Sequence, residues 1–195
     1  MNKWFTLIPM LLLISACTNN QDMPVLNDVT TTIQEETSIA ENAGKEKLFE
    51  LKSYNWEEKI MIGWGGQEFT AVYSEHPYVP LGLYVPEQME TYEFEDGRGW
   101  GYSKEGESEA KSFISTLDYG YINLNELTLE NEELIKYDEY IGSEDLDARV
   151  EDFFLVEHAG QKYVVRFSYF KDEKEKAIPM FLAAAKTLRI AGVPQ

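Results

Sequence analysis

Cysteine is nearly absent from this sequence: 195 residues contain one, Cys17. The body of the chain therefore has no internal disulfide and no thiolate metal site, and its fold must rest on its core. Positive charge is also scarce, with 17 Lys and Arg against 35 Asp and Glu and a net charge of −18. Nucleic-acid binding needs a basic patch that releases counterions, so that class of partner is excluded. Adhesion of the protein surface to anionic lipid headgroups is excluded on the same ground. There are two histidines, His76 and His158. They stand far apart in the sequence, one beside a proline turn and one at a hairpin end. Both read as exposed loop residues, and no metal site or cofactor is implied.

Long apolar runs are missing too. The most continuous one, Trp4 to Ile14, is broken only by Thr6 and Pro9. It is far short of the roughly twenty residues a helix needs to cross a bilayer core. Its length suits the apolar region of an export signal, with Met1 to Lys3 as the positive start and Ser15-Ala16 as the small residues before cleavage.

Ile14-Ser15-Ala16-Cys17 resembles a lipobox. At such a site bacterial lipoprotein processing attaches diacylglycerol to the cysteine sulfur and cleaves the chain before it. The resemblance implies a mature N-terminus bearing fatty acyl chains, palmitate among them, on Cys17. One acyl chain binds a membrane only marginally, whereas two hold a protein stably. The chain would thus be anchored by lipid at the extracytoplasmic face of the cell membrane.

From Thr18 to Gly44 there is neither an aromatic nor a basic residue, and Thr, Asn, Gln and Glu predominate. Such a segment cannot bury enough apolar surface to offset its ordering entropy, so it reads as a disordered tether. A flexible chain of about 27 residues has an end-to-end distance of roughly 30 Å. The sequence thus divides into a signal peptide (1–16), a lipidated cysteine with its tether (17–47), an acidic globular domain (48–191) and a short tail (192–195).

Within the domain, Ile60-Met61-Ile62 and Phe69 to Tyr73 are strand-like runs joined by Gly63-Trp64-Gly65-Gly66, a hairpin signal. Tyr92 and Phe94 alternate with glutamates before Asp96-Gly97-Arg98-Gly99, a second turn signal leading into Trp100-Gly101-Tyr102. Phe113, Ser115 and Leu117 fit a further strand. Leu127, Leu134 and Tyr137 have helix-compatible spacing, which predicts a middle helix between Asn123 and Tyr140. Phe153 to Val156 and Tyr163 to Tyr169 flank Ala159-Gly160-Gln161 as a third hairpin. Pro179 fits the first turn of a C-terminal helix, with Ile178, Phe181, Leu182, Ala185 and Leu188 on one face. Lys186 and Arg189 would lie near its negative end. The fold class expected is α+β: an antiparallel β-sheet packed against a middle helix and a C-terminal helix. Tyr84-Val85-Pro86-Glu87, a strand, a middle helix, a long hairpin and a final helix ending Lys186-Thr187-Leu188-Arg189 resemble the PsbP-like α/β/α sandwich. Members of that fold act mostly as binding or assembly factors, so the resemblance implies no catalytic residues.

No residue set compels a particular chemistry. Carboxylates are too numerous for any pair to stand out as the two a glycosidase needs. Glu144, Asp145, Asp147, Glu151 and Asp152 lack the ligand spacing and central Gly of a calcium loop and read as a solvated acidic face. There is no Gly-x-Ser-x-Gly elbow, and Gly63 to Gly66 lacks the Lys and Ser/Thr of a phosphate loop. Trp64, Trp100, Tyr78, Tyr84 and Tyr102 lie in or beside turns, where aromatics anchor partners or stack on sugars. The expectation is a lipid-anchored, non-catalytic binding or accessory module for an envelope protein or glycan. The alternatives are a cell-envelope hydrolase using paired carboxylates and a cation-responsive acidic module.

Overall fold

The computed structural model describes residues 44–95, 97–128 and 131–191. The expected export signal, Cys17, the expected tether up to residue 43 and the 192–195 tail lie outside the described residues.

Two hairpins follow directly from their sequences. Strands β2 (Lys59–Trp64) and β3 (Gln67–Glu75) pair antiparallel with Trp64 opposite Gln67. The two residues between them are Gly65 (φ 58°) and Gly66 (φ 77°), both in the left-handed region that a tight hairpin turn requires. Strands β9 (Arg149–His158) and β10 (Gln161–Phe170) are joined in the same way through Ala159 and Gly160.

Strand β4 (Leu81–Pro86) follows β3 as its antiparallel partner, and every one of its residues is buried. Two very short strands complete that sheet, β1 (Lys52–Ser53) and β11 (Arg189–Ile190), paired in parallel. The order is β1-β11-β4-β3-β2. A second, six-stranded sheet has the order β5-β6-β7-β10-β9-β8. Its remaining strands are β5 (Glu90–Phe94), β6 (Gly97–Lys104), β7 (Glu107–Asp118) and β8 (Tyr140–Leu146).

Helix α1 (Lys174–Ala185) touches β2 and β4 of the first sheet and β7 and β10 of the second. That dual contact explains its composition. Ala177, Ile178, Met180, Phe181, Ala184 and Ala185 are all buried, more than one amphipathic stripe would supply. An aromatic chain crosses the core from Phe154 to Phe167 (centroids 4.8 Å), Phe181 (5.5 Å) and Tyr102 (6.2 Å). Full burial of each phenylalanine stabilises the fold by about 1.5–3 kcal/mol. The sheets are also joined by a polar contact, since Trp100 Nε1 on β6 donates to Ser74 Oγ on β3 at 2.8 Å.

The α+β class holds only coarsely, because strands predominate. Asn123 to Tyr140 is not helical among the described residues. It contains a short 3-10 turn (Leu124–Glu126), an isolated bridge from Thr128 to Ser143 and one tight turn closed by Leu134 and Ile135 N–H on the Asn131 carbonyl. Leu134 and Tyr137 are buried as the periodicity implies, but long-range bonds fix this segment. With α1 as the only α-helix among the described residues, the PsbP-like α/β/α arrangement is not supported.

The C-terminal helix also differs from expectation. It begins at Lys174, which places Pro179 inside the helix and not at its start. Arg189 belongs to β11, where its guanidinium donates to the carbonyls of Thr187 (3.0 Å) and Leu188 (2.9 Å). At the other end of the domain, ordered pairing starts at Glu46, which bridges to Tyr137. The Glu139 carboxylate accepts the N–H groups of Leu48 (2.9 Å) and Phe49 (3.3 Å).

Candidate functional site

The connection from β3 to β4 is shaped by an imidazole. His76 Nδ1 accepts the backbone N–H of Tyr78 and of Val79, each at 3.1 Å. Leu81 N–H donates to the Val79 carbonyl at 2.7 Å and closes the loop. His76 is therefore buried, contrary to its reading as an exposed loop residue, while His158 at the β9–β10 turn is partly exposed. The backbone of Gly97 on β6 passes against the imidazole so closely that no Cβ fits there. Held in this way, Tyr78 projects outward with 72% of its surface exposed.

A second tyrosine is presented by the end of β7. Asp118 Oδ1 accepts the Gly120 N–H at 2.8 Å and caps a 3-10 turn over Tyr119–Tyr121. This is an Asx turn, in which a short carboxylate stands in for a backbone acceptor. Its product is Tyr121, 73% exposed.

Tyr78 and Tyr121 both line a cleft of about 740 Å³. Loops from both sheets converge there: the β3–β4 connection, Glu95 after β5, the end of β7 and the start of β10. Tyr163 and Gln161 form part of the wall, and the Tyr163 hydroxyl donates to Gln161 Oε1. Val79 and Pro80 supply apolar surface, and the two carboxylates, Glu95 and Asp118, are exposed. Among the described residues no Lys or Arg lines the cleft. Its volume is within the range of small-ligand and side-chain sites, while its lining is more polar than such sites usually are.

No family model matches this chain, and no curated protein or solved structure matches it either. The PsbP-like resemblance gains nothing from these comparisons, and the site has to be read from its own chemistry.

Of the five aromatics expected at an interface, the structure brings only Tyr78 to the cleft. Trp100, Tyr84 and Tyr102 are core residues at 0%, 1% and 7% exposure, because strands flank the turns and their inward positions are buried. Tyr84 donates its hydroxyl to the Glu57 carbonyl at 2.7 Å, and burial pushes the Tyr102 phenol up to about 12. Trp64 is half-buried and stacks on Phe69 at 3.8 Å. The sequence reading missed Tyr121, Asp118, Glu95, Gln161 and Tyr163. The signal available was Asp118-Tyr-Gly-Tyr121, an Asx-turn pattern that fixes an aromatic at a strand end. Trp56, 69% exposed with φ 64°, was also missed and lies on the β1–β2 loop, not among the cleft-lining residues.

The acidic stretch is not uniformly solvated. Asp152 is fully buried and accepts four hydrogen bonds: Ser143 Oγ (2.5 Å), Tyr169 OH (2.7 Å), Asn131 Nδ2 (3.0 Å) and Tyr140 OH (3.1 Å). Tyr140 and Tyr169 are both shifted well above the ordinary phenol range, first by burial and then by the Asp152 charge. Glu151 faces the opposite side of β9, 3.5 Å from Arg166. Its cross-strand partner Glu144 is half-buried, and its carboxyl is pushed up by burial and by the charges of Glu126 and Glu151. Glu144, Glu151 and Arg166 share a small cleft of about 200 Å³ that Tyr121 also lines. Among the described residues no group of three or more His, Cys, Asp or Glu is placed to hold a metal ion. No helix among them is long and apolar enough to cross a membrane.

Proposed function

We propose that this protein is a lipid-anchored, non-catalytic binding or accessory module at the extracytoplasmic face of the cell membrane. Cys17 bears the anchor, and the Tyr78–Tyr121 cleft holds an envelope component. The observation that carries the binding role is the presentation of two largely exposed tyrosines along one cleft of about 740 Å³. Each is fixed by a polar side chain, His76 for one and Asp118 for the other. Exposed aromatics in pre-organised loops give contact area at low entropic cost, as anchor residues of interfaces do. The anchor rests on the lipobox-like Ile14 to Cys17, and the acidic surface gives the domain no affinity of its own for anionic lipid.

The test places a photo-activated cross-linker at residue 78 or 121 of the full chain in its native membrane. A discrete adduct from both positions, missing when the cross-linker is moved to Glu68, is expected. Equal labelling from all three would remove the cleft from consideration. For the anchor, Cys17→Ala should leave the protein unprocessed or released from the membrane fraction.

A second reading, an envelope hydrolase, is favoured by the Glu144–Glu151 pair beside Arg166. One carboxyl is pushed towards its protonated form while its neighbour faces a guanidinium, the division of roles a two-carboxylate hydrolase needs. Release of reducing ends from purified envelope glycan, abolished by Glu144→Gln and by Glu151→Gln, would establish it. No release at any pH between 4 and 8 would dismiss it.

A further inference from the structure

We infer that the cleft recognises a cationic side chain, a lysine or arginine on an exposed segment of a partner protein. The inference rests on the cleft being the binding site, as proposed above, and adds the chemistry of what enters it.

Three observations converge. First, the polar lining is rich in acceptors: Glu95 and Asp118 contribute carboxylates and no Lys or Arg lies among the lining residues. Asp118 uses one oxygen to cap Gly120, which leaves the other available without disturbing the turn. Gln161, the one amide in the wall, already has its oxygen engaged by the Tyr163 hydroxyl. A neutral sugar presents hydroxyls that both donate and accept, and it would leave the two carboxylates without a countercharge. An ammonium or guanidinium only donates.

Second, Tyr78 and Tyr121 both line the same space and are largely exposed, and the negative face of an aromatic ring attracts a cation. Aromatic walls combined with carboxylates are the arrangement that desolvates and holds an alkylammonium. The cleft volume of about 740 Å³ accommodates a long side chain with the backbone that bears it. Third, the chain has a net charge of −18, which raises the local concentration of basic partners and repels acidic ones. An anionic ligand would meet repulsion at long range and no cation among the lining residues.

The test is a titration of the processed full chain in detergent micelles with three probes. They are an unstructured Lys/Ser decapeptide, its Glu/Ser counterpart and a tetramer of N-acetylglucosamine. Tyrosine ring resonances report occupancy of the cleft. The basic peptide should bind and shift Tyr78 and Tyr121, and the other two probes should not. Asp118→Asn keeps the cap on Gly120 and removes only the charge. Together with Glu95→Gln it should weaken the peptide at least tenfold, and Tyr121→Ala should do the same.

Glu68→Gln with Glu107→Gln removes an equal charge from the far ends of β3 and β7, and should change affinity less than twofold. Equal weakening by both double variants would mean adhesion to overall charge and would overturn the inference. Binding of the oligosaccharide in the cleft, with no response to the basic peptide, would overturn it while leaving the cleft as the binding site. If no probe moves either tyrosine and the cross-linkers at 78 and 121 capture nothing, the cleft reading falls and this inference with it.

Discussion

Tyr169 on β10 donates its hydroxyl to the carboxylate of Asp152 on β9 at 2.7 Å, with both side chains removed from solvent. The same carboxylate accepts from Ser143 on β8 and from Asn131 in the irregular segment before it. One buried carboxyl group thus fastens the edge strand and the segment preceding it to the sheet. A buried donor left unpaired costs about 1–3 kcal/mol. Asp152→Ala strands several at once and should lower stability by about 3 kcal/mol or more in urea unfolding. Tyr169→Phe removes a single bond and should cost about 1–2 kcal/mol. A larger loss from Tyr169→Phe than from Asp152→Ala would show that the carboxylate is not the anchor.

Gly97 has φ 153° and lies against the His76 imidazole. Gly97→Ala puts a methyl into that space and should displace the ring from the Tyr78 and Val79 amides. Overpacking of a well-filled site costs about 1–3 kcal/mol. Amide exchange at Tyr78 and Val79 should accelerate by more than global stability alone accounts for. Unchanged protection there would mean that the loop does not depend on the imidazole.

Burial, Glu126 and Glu151 all hold the Glu144 carboxyl above the ordinary carboxylate range. A folded-state value above the unfolded one means that the unfolded chain ionises first as pH rises. The ionised side chain therefore opposes folding above that range and is without effect below it. Glu144→Gln should raise the melting temperature at pH 7 by about 1–3 °C and leave it unchanged at pH 3. A gain of the same size at both pH values would assign the effect to something other than the charge.

Pro179 lies inside α1 with no N–H to offer the Glu175 carbonyl, and its ring crowds that carbonyl. Pro179→Ala restores the bond, offset in part by the greater freedom of the unfolded chain. A net stabilisation of about 1–2 kcal/mol is expected from the urea midpoint. Destabilisation would mean that the proline ring makes packing contacts an alanine cannot replace.

What could be read in advance follows from how local each determinant is. Ile60, Ile62, Phe69 and Ala71 around Gly65-Gly66, and Phe154, Val156, Tyr163 and Val165 around Ala159-Gly160, declare their hairpins through alternation and turn chemistry alone. Asn123 to Tyr140 misled because Leu127, Leu134 and Tyr137 have helical spacing while their segment is fixed from a distance. Asn131 reaches Asp152, Thr128 pairs with Ser143, and Glu139 takes the Leu48 and Phe49 amides. Trp100, Tyr84 and Tyr102 adjoin turns and are nonetheless buried. Side-chain direction alternates along a strand, so adjacency to a turn does not decide exposure. The burial of Asp152 was hidden by its neighbours, Glu144, Asp145, Asp147 and Glu151, among which nothing local marks it.

The pairing of β1 with β11 brings the entry and exit of the domain side by side within one sheet. Continuity of the backbone at that point is therefore incidental to the architecture. A short peptide could join the two ends and fresh ones be cut at Gly65-Gly66, giving a circularly permuted molecule with the same layers.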